Sequence, residues 1–479
     1  MLDGGGRFIS NAIAAFANFG TQYNFQSIAV ALLIMSTNEC TSNDDSCKDG
    51  RQDKWVTSTA SAVIFFGAIV GQLSLGFLGD YFSRNNALAI TLSISSVSAF
   101  LSAVAPAGNA VSVYAVIILF RFFLGIGLGG VFPISATKAS EDSCTESSEN
   151  KVNSVAASWA FFWQMPGFVA PWLVEYFMTF NTALTVSFKW RFVLGLGCVP
   201  LLCSAAILYY EETQRKKDED VNTTAQSSSP TASVEEPLSL TKVWHLIQQK
   251  ENIHKLLGSG FTWFLFDIVA YGASLLGGYI IRNITTTDDN ISSNTSLRSI
   301  SSQQMTALVL YTPACIMGIY ALPYWGLKFV QVWSFVIMAV CYTILASVFA
   351  YCLDTQQKPL LFGIYCITAF SVNLGLGITS FSLPAALFDK KIRATFNGIA
   401  AAMGKFGAFV GAFSFPYIAE AVSFELVLGI CAGVSIVGAV VSQVYLDQEL
   451  IALNSSPSMK KASGDIEEIE SVQNAMRSP

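Results

Sequence analysis

The sequence predicts an all-α polytopic membrane protein of twelve transmembrane helices in two six-helix bundles, and three observations carry that prediction. The 479 residues are 52% hydrophobic and only 13% charged, with a mean hydropathy of +0.50, whereas soluble domains carry roughly 25% charged residues. The apolar residues gather into twelve runs of about the length that crosses a bilayer as a helix. One long hydrophilic break divides the runs six and six.

In order, the runs cover about Phe8 to Met35, Trp55 to Leu78, Ala87 to Ala105, Val113 to Ala136, Val152 to Met178 and Phe192 to Tyr210, then Leu256 to Ile281, Met305 to Tyr324, Phe329 to Tyr351, Leu360 to Phe388, Phe396 to Ala419 and Phe424 to Leu446. Between the sixth and seventh, from Glu211 to about His254, the chain reads E-E-T-Q-R-K-K-D-E-D and then N-T-T-A-Q-S-S-S-P-T-A-S. Such a composition cannot bury a core, so it predicts a flexible linker with one short amphipathic helix near Leu240 to Ile247. The expected units are a first bundle over 1–210, a cytoplasmic linker over 211–254, a second bundle over 255–446 and a cytoplasmic tail over 447–479.

Composition also narrows the function. A net charge of -6 without a basic cluster argues against a nucleic-acid partner. The start, M-L-D-G-G-G-R, lacks the basic region and cleavage site of a signal peptide, so the first run is expected to stay as a helix. Both histidines, His245 and His254, fall in the polar linker, and the ten cysteines lack metal-ligand spacing. No nucleophile-base pair, phosphate loop or metal cluster is evident, so no enzyme and no cofactor are expected.

Orientation follows from charge, because most of the 27 Lys and Arg residues lie in loops and tails that are cytoplasmic if both termini are inside. The loop after the seventh run is then outside, and there Asn283, Asn290 and Asn294 each open a glycosylation sequon. Three in one loop imply a eukaryotic chain that passes through the secretory pathway, destined for the plasma membrane or an endomembrane. Cys40 and Cys47 share the first outer loop, where a disulfide is permitted, the alternative being two free thiols.

The chemistry centres on W-F-L-F-D-I-V-A-Y. Trp263, Asp267 and Tyr271 are spaced i, i+4, i+8 and so lie along one helix stripe, with a carboxylate at membrane mid-depth. An ionisable group there is costly without a partner. Lys405, in A-A-M-G-K-F-G-A-F-V-G, is the best candidate, and Arg121 is the one further cation inside a run. The bland alternative is a fixed ion pair that merely joins helices.

The second run ends in G-F-L-G-D-Y-F-S-R-N-N, with Asp80 and Arg84 in a pattern that resembles the cytoplasmic gate latch of the major facilitator superfamily. The fourth run places Arg121 beside Gly125, Gly127, Gly129 and Gly130, small residues that let helices approach closely. More narrowly, G-Q-L-S-L-G-F-L-G-D (71–80), R-F-F-L-G-I-G-L-G-G-V-F-P-I-S-A-T (121–137), W-F-L-F-D-I-V-A-Y-G (263–272) and R-A-T-F-N-G-I-A-A-A-M-G-K-F-G-A (393–408) resemble the signatures of the fungal and plant phosphate:proton symporters. The resemblance implies a phosphate site at Gln164, Trp263, Asp267, Tyr271 and Lys405. The chemistry suits an oxyanion, since lysine supplies positive charge while amide, indole and phenol donate hydrogen bonds.

The departures are as informative. The family's helix-four aspartate and tyrosine are Val131 and Phe132 here, and its helix-one aspartates are Thr21 and Asn24, leaving Asn18, Gln22 and Asn24 as a neutral polar face. The glutamate of P-A-E-L-F is Ala386, and the second latch loses its charges at Pro323 and Leu327. No carboxylate is expected deep in the first half, so Asp267 is the remaining candidate for a coupled proton. Arg121 either meets the substrate's second charge or bonds backbone carbonyls within its own bundle. The function expected is a secondary transporter of inorganic phosphate or a related phosphorylated anion, working by alternating access. The alternatives are a transporter of a sugar, organic cation or carboxylate, and a non-transporting nutrient sensor.

Overall fold

The computed structural model describes residues 4–447, apart from 37–53, 82–83, 106–109, 143–152, 226–239, 286–293 and 390–391, together with residue 451. Every regular element among the described residues is helical. The first half contains α1 (Gly4–Ser36), α2 (Lys54–Tyr81), α3 (Arg84–Ala103), α4 (Ala110–Asp142), a fifth crossing in two pieces, α5 (Ser154–Phe162) and α6 (Gln164–Met178), and a sixth, α7 (Val186–Leu196) and α8 (Cys198–Ala225). The short α9 (Leu240–Ile247) precedes the second half: α10 (Lys250–Leu256), a π-helical turn at Leu257–Phe261, α11 (Thr262–Thr285), α12 (Asn294–Val309), α13 (Tyr311–Asp354), α14 (Lys358–Val372), α15 (Leu376–Leu387), α16 (Arg393–Ala421) and α17 (Phe424–Tyr445).

Nine described stretches are long and apolar enough to cross a membrane, and one of them, Leu297–Asp354, is 58 residues. A straight helix of that length would run about 87 Å, far beyond a hydrocarbon core of roughly 30 Å. It turns back at Gly326, whose φ of 73° and ψ of 166° would strain any side chain. Counting that stretch as two crossings and adding α1 and the α5–α6 pair makes twelve, which matches the twelve apolar runs.

Three expectations need correction. The charged stretch from Glu211 is not loop from its start, because α8 continues to Ala225; it is rich in Glu, Gln, Arg and Lys, all good helix formers. His254 lies in α10 rather than in a flexible linker and packs on Tyr445 with ring centroids 5.5 Å apart, whereas His245 lies in α9, the short helix expected there. Lys189 and Arg393, which fall between the apolar runs and so would be loop residues, are buried. The α7 helix begins before the sixth run, and the Arg393 guanidinium folds back to donate to the Phe388 carbonyl at 3.2 Å.

Packing is tight where the glycines predict it. A Cβ on Gly67 or Gly125 would strike the opposing backbone, so α2 and α4 touch along their main chains. The two halves meet through α2 with α16, α6 with α12 and α5 with α15. Bulky groups such as Phe177, Val440 and Tyr351 stand exposed on the outer surface of the bundle, as helices that face lipid require.

Candidate functional site

The site forms where helices are interrupted. Gln164 opens α6 immediately after the break at Trp163, Asn373 lies in the gap between α14 and α15, and Trp263 follows the π turn by two residues. Such interruptions free polar groups at mid-membrane and recur at functional sites.

The α11 stripe faces α16. Lys405 Nζ donates to Asp267 Oδ2 at 2.9 Å and to Tyr271 Oη at 3.1 Å. The Tyr271 hydroxyl donates in turn to Gln22 Oε1 on α1 at 3.3 Å, and the Trp263 indole is a further hydrogen-bond partner of Asp267. The ammonium sits among aromatic faces, 4.2 Å from the ring centre of Tyr271, 4.8 Å from Phe132 and 5.3 Å from Phe25. Lysine is thus held by one carboxylate, one phenol and π-faces, a set that stabilises its charge away from water. On the other side, Gln164 Nε2 donates to Asn18 Oδ1 at 3.0 Å.

These groups line one cavity. Gln164, Trp263, Asp267, Tyr271 and Lys405 all border it, with Asn373 and the rings of Phe132, Phe161, Phe168, Phe266 and Tyr311. Its volume of about 20 Å³ holds roughly one water, so an oxyanion binds only if the walls move apart. Contacts between the two halves cross the molecule on both sides of the cavity. At the end that carries the chain termini, the hydroxyls of Ser158 and Ser382 lie 3.1 Å apart, Ser382 Oγ donates to the Ser154 carbonyl at 3.3 Å, and Phe381 packs on Phe161 and Phe132. At the opposite end Arg298 of α12 donates to the Thr179 hydroxyl at 3.1 Å.

Arg121 is elsewhere. Its Nη1 donates to the Asn24 carbonyl at 2.6 Å and its Nη2 to Ser27 Oγ at 2.9 Å, inside the first half, and it does not border the cavity. Of the polar face of α1, Asn18 and Gln22 point toward the site, while the Asn24 amide donates to the carbonyls of Gly20 and Gly197. Asp80 lies in the last turn of α2 and Arg84 opens α3, with their side chains outside the described residues. Cys40, Cys47 and Asn290 lie outside them too; Asn283 falls within the last turn of α11 and Asn294 opens α12.

Two groups escaped the sequence reading. Asn373 and Tyr311 reach the cavity from α14's end and α13, where nothing local marks them. Glu175, near the end of α6 rather than at mid-depth, is a carboxylate of the first half that is nonetheless fully buried. It sits one turn from the end of its run, where a glutamate reads as a boundary residue, and its partners are far away in sequence.

The model of the family described as "Sugar (and other) transporter" matches residues 10–446. An inorganic phosphate transporter, PT2, of Toxoplasma gondii is 31% identical over 445 residues, covering 93% of this chain and 73% of that one. A probable inorganic phosphate transporter, 1-6, of Arabidopsis thaliana is 27% identical over 432 residues, covering 80% of each. Among solved structures, the major facilitator proton:xylose symporter XylE bound to 6-bromo-6-deoxy-D-glucose superimposes with a TM-score of 0.64 at 16% identity, covering 91% of this chain and 95% of that one, and the partially occluded inward-open XylE of E. coli gives 0.60. With a family model covering nearly all the membrane part, this chain belongs to the sugar (and other) transporter family.

Proposed function

We propose that the protein is a secondary transporter of inorganic phosphate, with Lys405 as the anion's charge partner and Asp267 as the group that takes a coupled proton. The observation that carries this reading is the Lys405–Asp267–Tyr271 cluster at 2.9 and 3.1 Å on the wall of a small cavity. The relatives named as inorganic phosphate transporters support the choice of anion.

Charge accounting gives the mechanism. Lys405 and Asp267 together are neutral, the state that a low-dielectric interior favours. A monovalent anion that enters competes for the ammonium and leaves the site one charge negative. A proton on Asp267 restores neutrality, so one proton accompanies each monoanion. Gln164, Trp263 and Tyr271 supply N–H and O–H donors for the oxygens, and the gates at the two ends open in turn. We place both termini on the cytoplasmic side and the three sequons outside, as the lysine and arginine distribution favours. The bundles divide at the linker, residues 211–254 including the end of α8.

A phosphate ester with an organic body is a second reading, favoured by the aromatic wall of Phe161, Phe168 and Tyr311. Uptake of labelled phosphate into proteoliposomes, competed with sulfate, glucose and a small phosphate monoester, separates the two. Phosphate flux that Lys405→Ala abolishes supports the first reading. A folded protein that takes up only the ester, or uptake that survives Lys405→Ala, contradicts it.

A further inference from the structure

We propose that Glu175 is a gate residue, the carboxylate through which α6 of the first half clasps α12 of the second and closes the path at the end opposite the termini. Its Oε2 accepts from Ser301 Oγ at 2.6 Å, and both residues are fully buried. Lys189 on α7 and Arg298 on α12 are the cations whose charges act on it. One turn further along, Arg298 donates to the Thr179 hydroxyl and carbonyl at 3.1 and 3.2 Å and its guanidinium lies 3.9 Å from the ring centre of Phe180.

One carboxylate thus feels the charge of a cation of its own half and of a cation of the other. With Glu175 present, the buried Lys189 and the half-buried Arg298 both act on a buried negative charge. Removing that negative charge takes away its attraction to Arg298 across the two halves, which disfavours closure, while parting the halves lets water reach the guanidinium. Among the described residues Glu175 Oε1 has no hydrogen-bond partner, so the clasp they show is held on one oxygen, as suits a contact that must open in every cycle. At the opposite end the described contact between the halves is the hydroxyl pair of Ser158 with Ser382.

The clasp is tested by access to the cavity, a readout that needs no phosphate. Ala270 borders the cavity. The rate at which Ala270→Cys reacts with a membrane-impermeant maleimide, added from the side opposite the termini, reports opening there, with the parent chain correcting for its native cysteines. Glu175→Gln is expected to raise that rate roughly fivefold or more, and Ser301→Ala, which deletes only the 2.6 Å bond, by less. Ser158→Ala, which loosens the other gate, is expected to lower it. Should Glu175→Gln fail to fold, Arg298→Gln takes its place in the comparison, expected to raise the rate because it removes the cation across the gap. Unchanged rates in Ser301→Ala and in whichever of the two other variants folds, with unfolding temperatures near the parent's, would overturn the proposal.

Discussion

Lys405 reaches Asp267 across the contact of α16 with α11, Nζ to Oδ2 at 2.9 Å, with the two side chains only 1% and 2% exposed. A pair so buried is neutral as a unit and costly when halved. Replacing one partner leaves an uncompensated charge, so Lys405→Ala and Asp267→Ala are each expected to lose about 3–5 kcal/mol of stability. The double variant should be more stable than either single one, and thermal unfolding in detergent reads the difference. Equal losses in all three would mean that the pair is solvated in the folded protein.

Lys405 depends on how closely α16 lies on α11. A Cβ on Gly407 would press into the backbone at Phe264, whereas Gly429 on α17 has open space around it. Gly407→Ala is therefore expected to separate the helices that carry Asp267 and Lys405 and to abolish uptake. Gly429→Ala should keep uptake and gain up to about 1 kcal/mol from helix propensity. Uptake assays beside thermal melts check both.

The ring of Phe132 stands 4.8 Å from the Lys405 ammonium and borders the cavity. Phe132→Tyr adds an O–H donor beside the anion. A hydrogen bond worth about 1 kcal/mol corresponds to roughly fivefold, so KM for phosphate should fall by that factor with little change in stability. A higher KM would mean that the hydroxyl cannot reach the anion.

Arg121 bonds the Asn24 carbonyl and Ser27, away from the cavity. Arg121→Gln is expected to lower the unfolding temperature while leaving KM for phosphate within about twofold, since the loss falls on buried hydrogen bonds worth about 1.5–3 kcal/mol each. A large KM change with an unaltered melt would return Arg121 to the substrate's path.

Much of the molecule is legible in the sequence because lipid imposes a strong local rule: each crossing needs its own apolar run, and α9 shows its face within eight residues. Asp267 was legible for the same reason, as a carboxylate has no ordinary place inside such a run. What the sequence hides is set by distant partners. Glu175 finds Ser301, 126 residues away, and Asn373 gains its place only because α14 stops before α15 begins. Arg121 looked like Lys405 in composition, and only the packing of α1 against α4 tells the two apart.

The central claim is that a proton on Asp267 balances the charge of the bound anion. The most direct measurement is labelled-phosphate uptake into proteoliposomes with and without an inward proton gradient, comparing the parent with Asp267→Asn. The account predicts that the gradient drives accumulation in the parent, while the variant, already neutral at that position, exchanges phosphate but ignores the gradient. Gradient-driven accumulation by Asp267→Asn would contradict it.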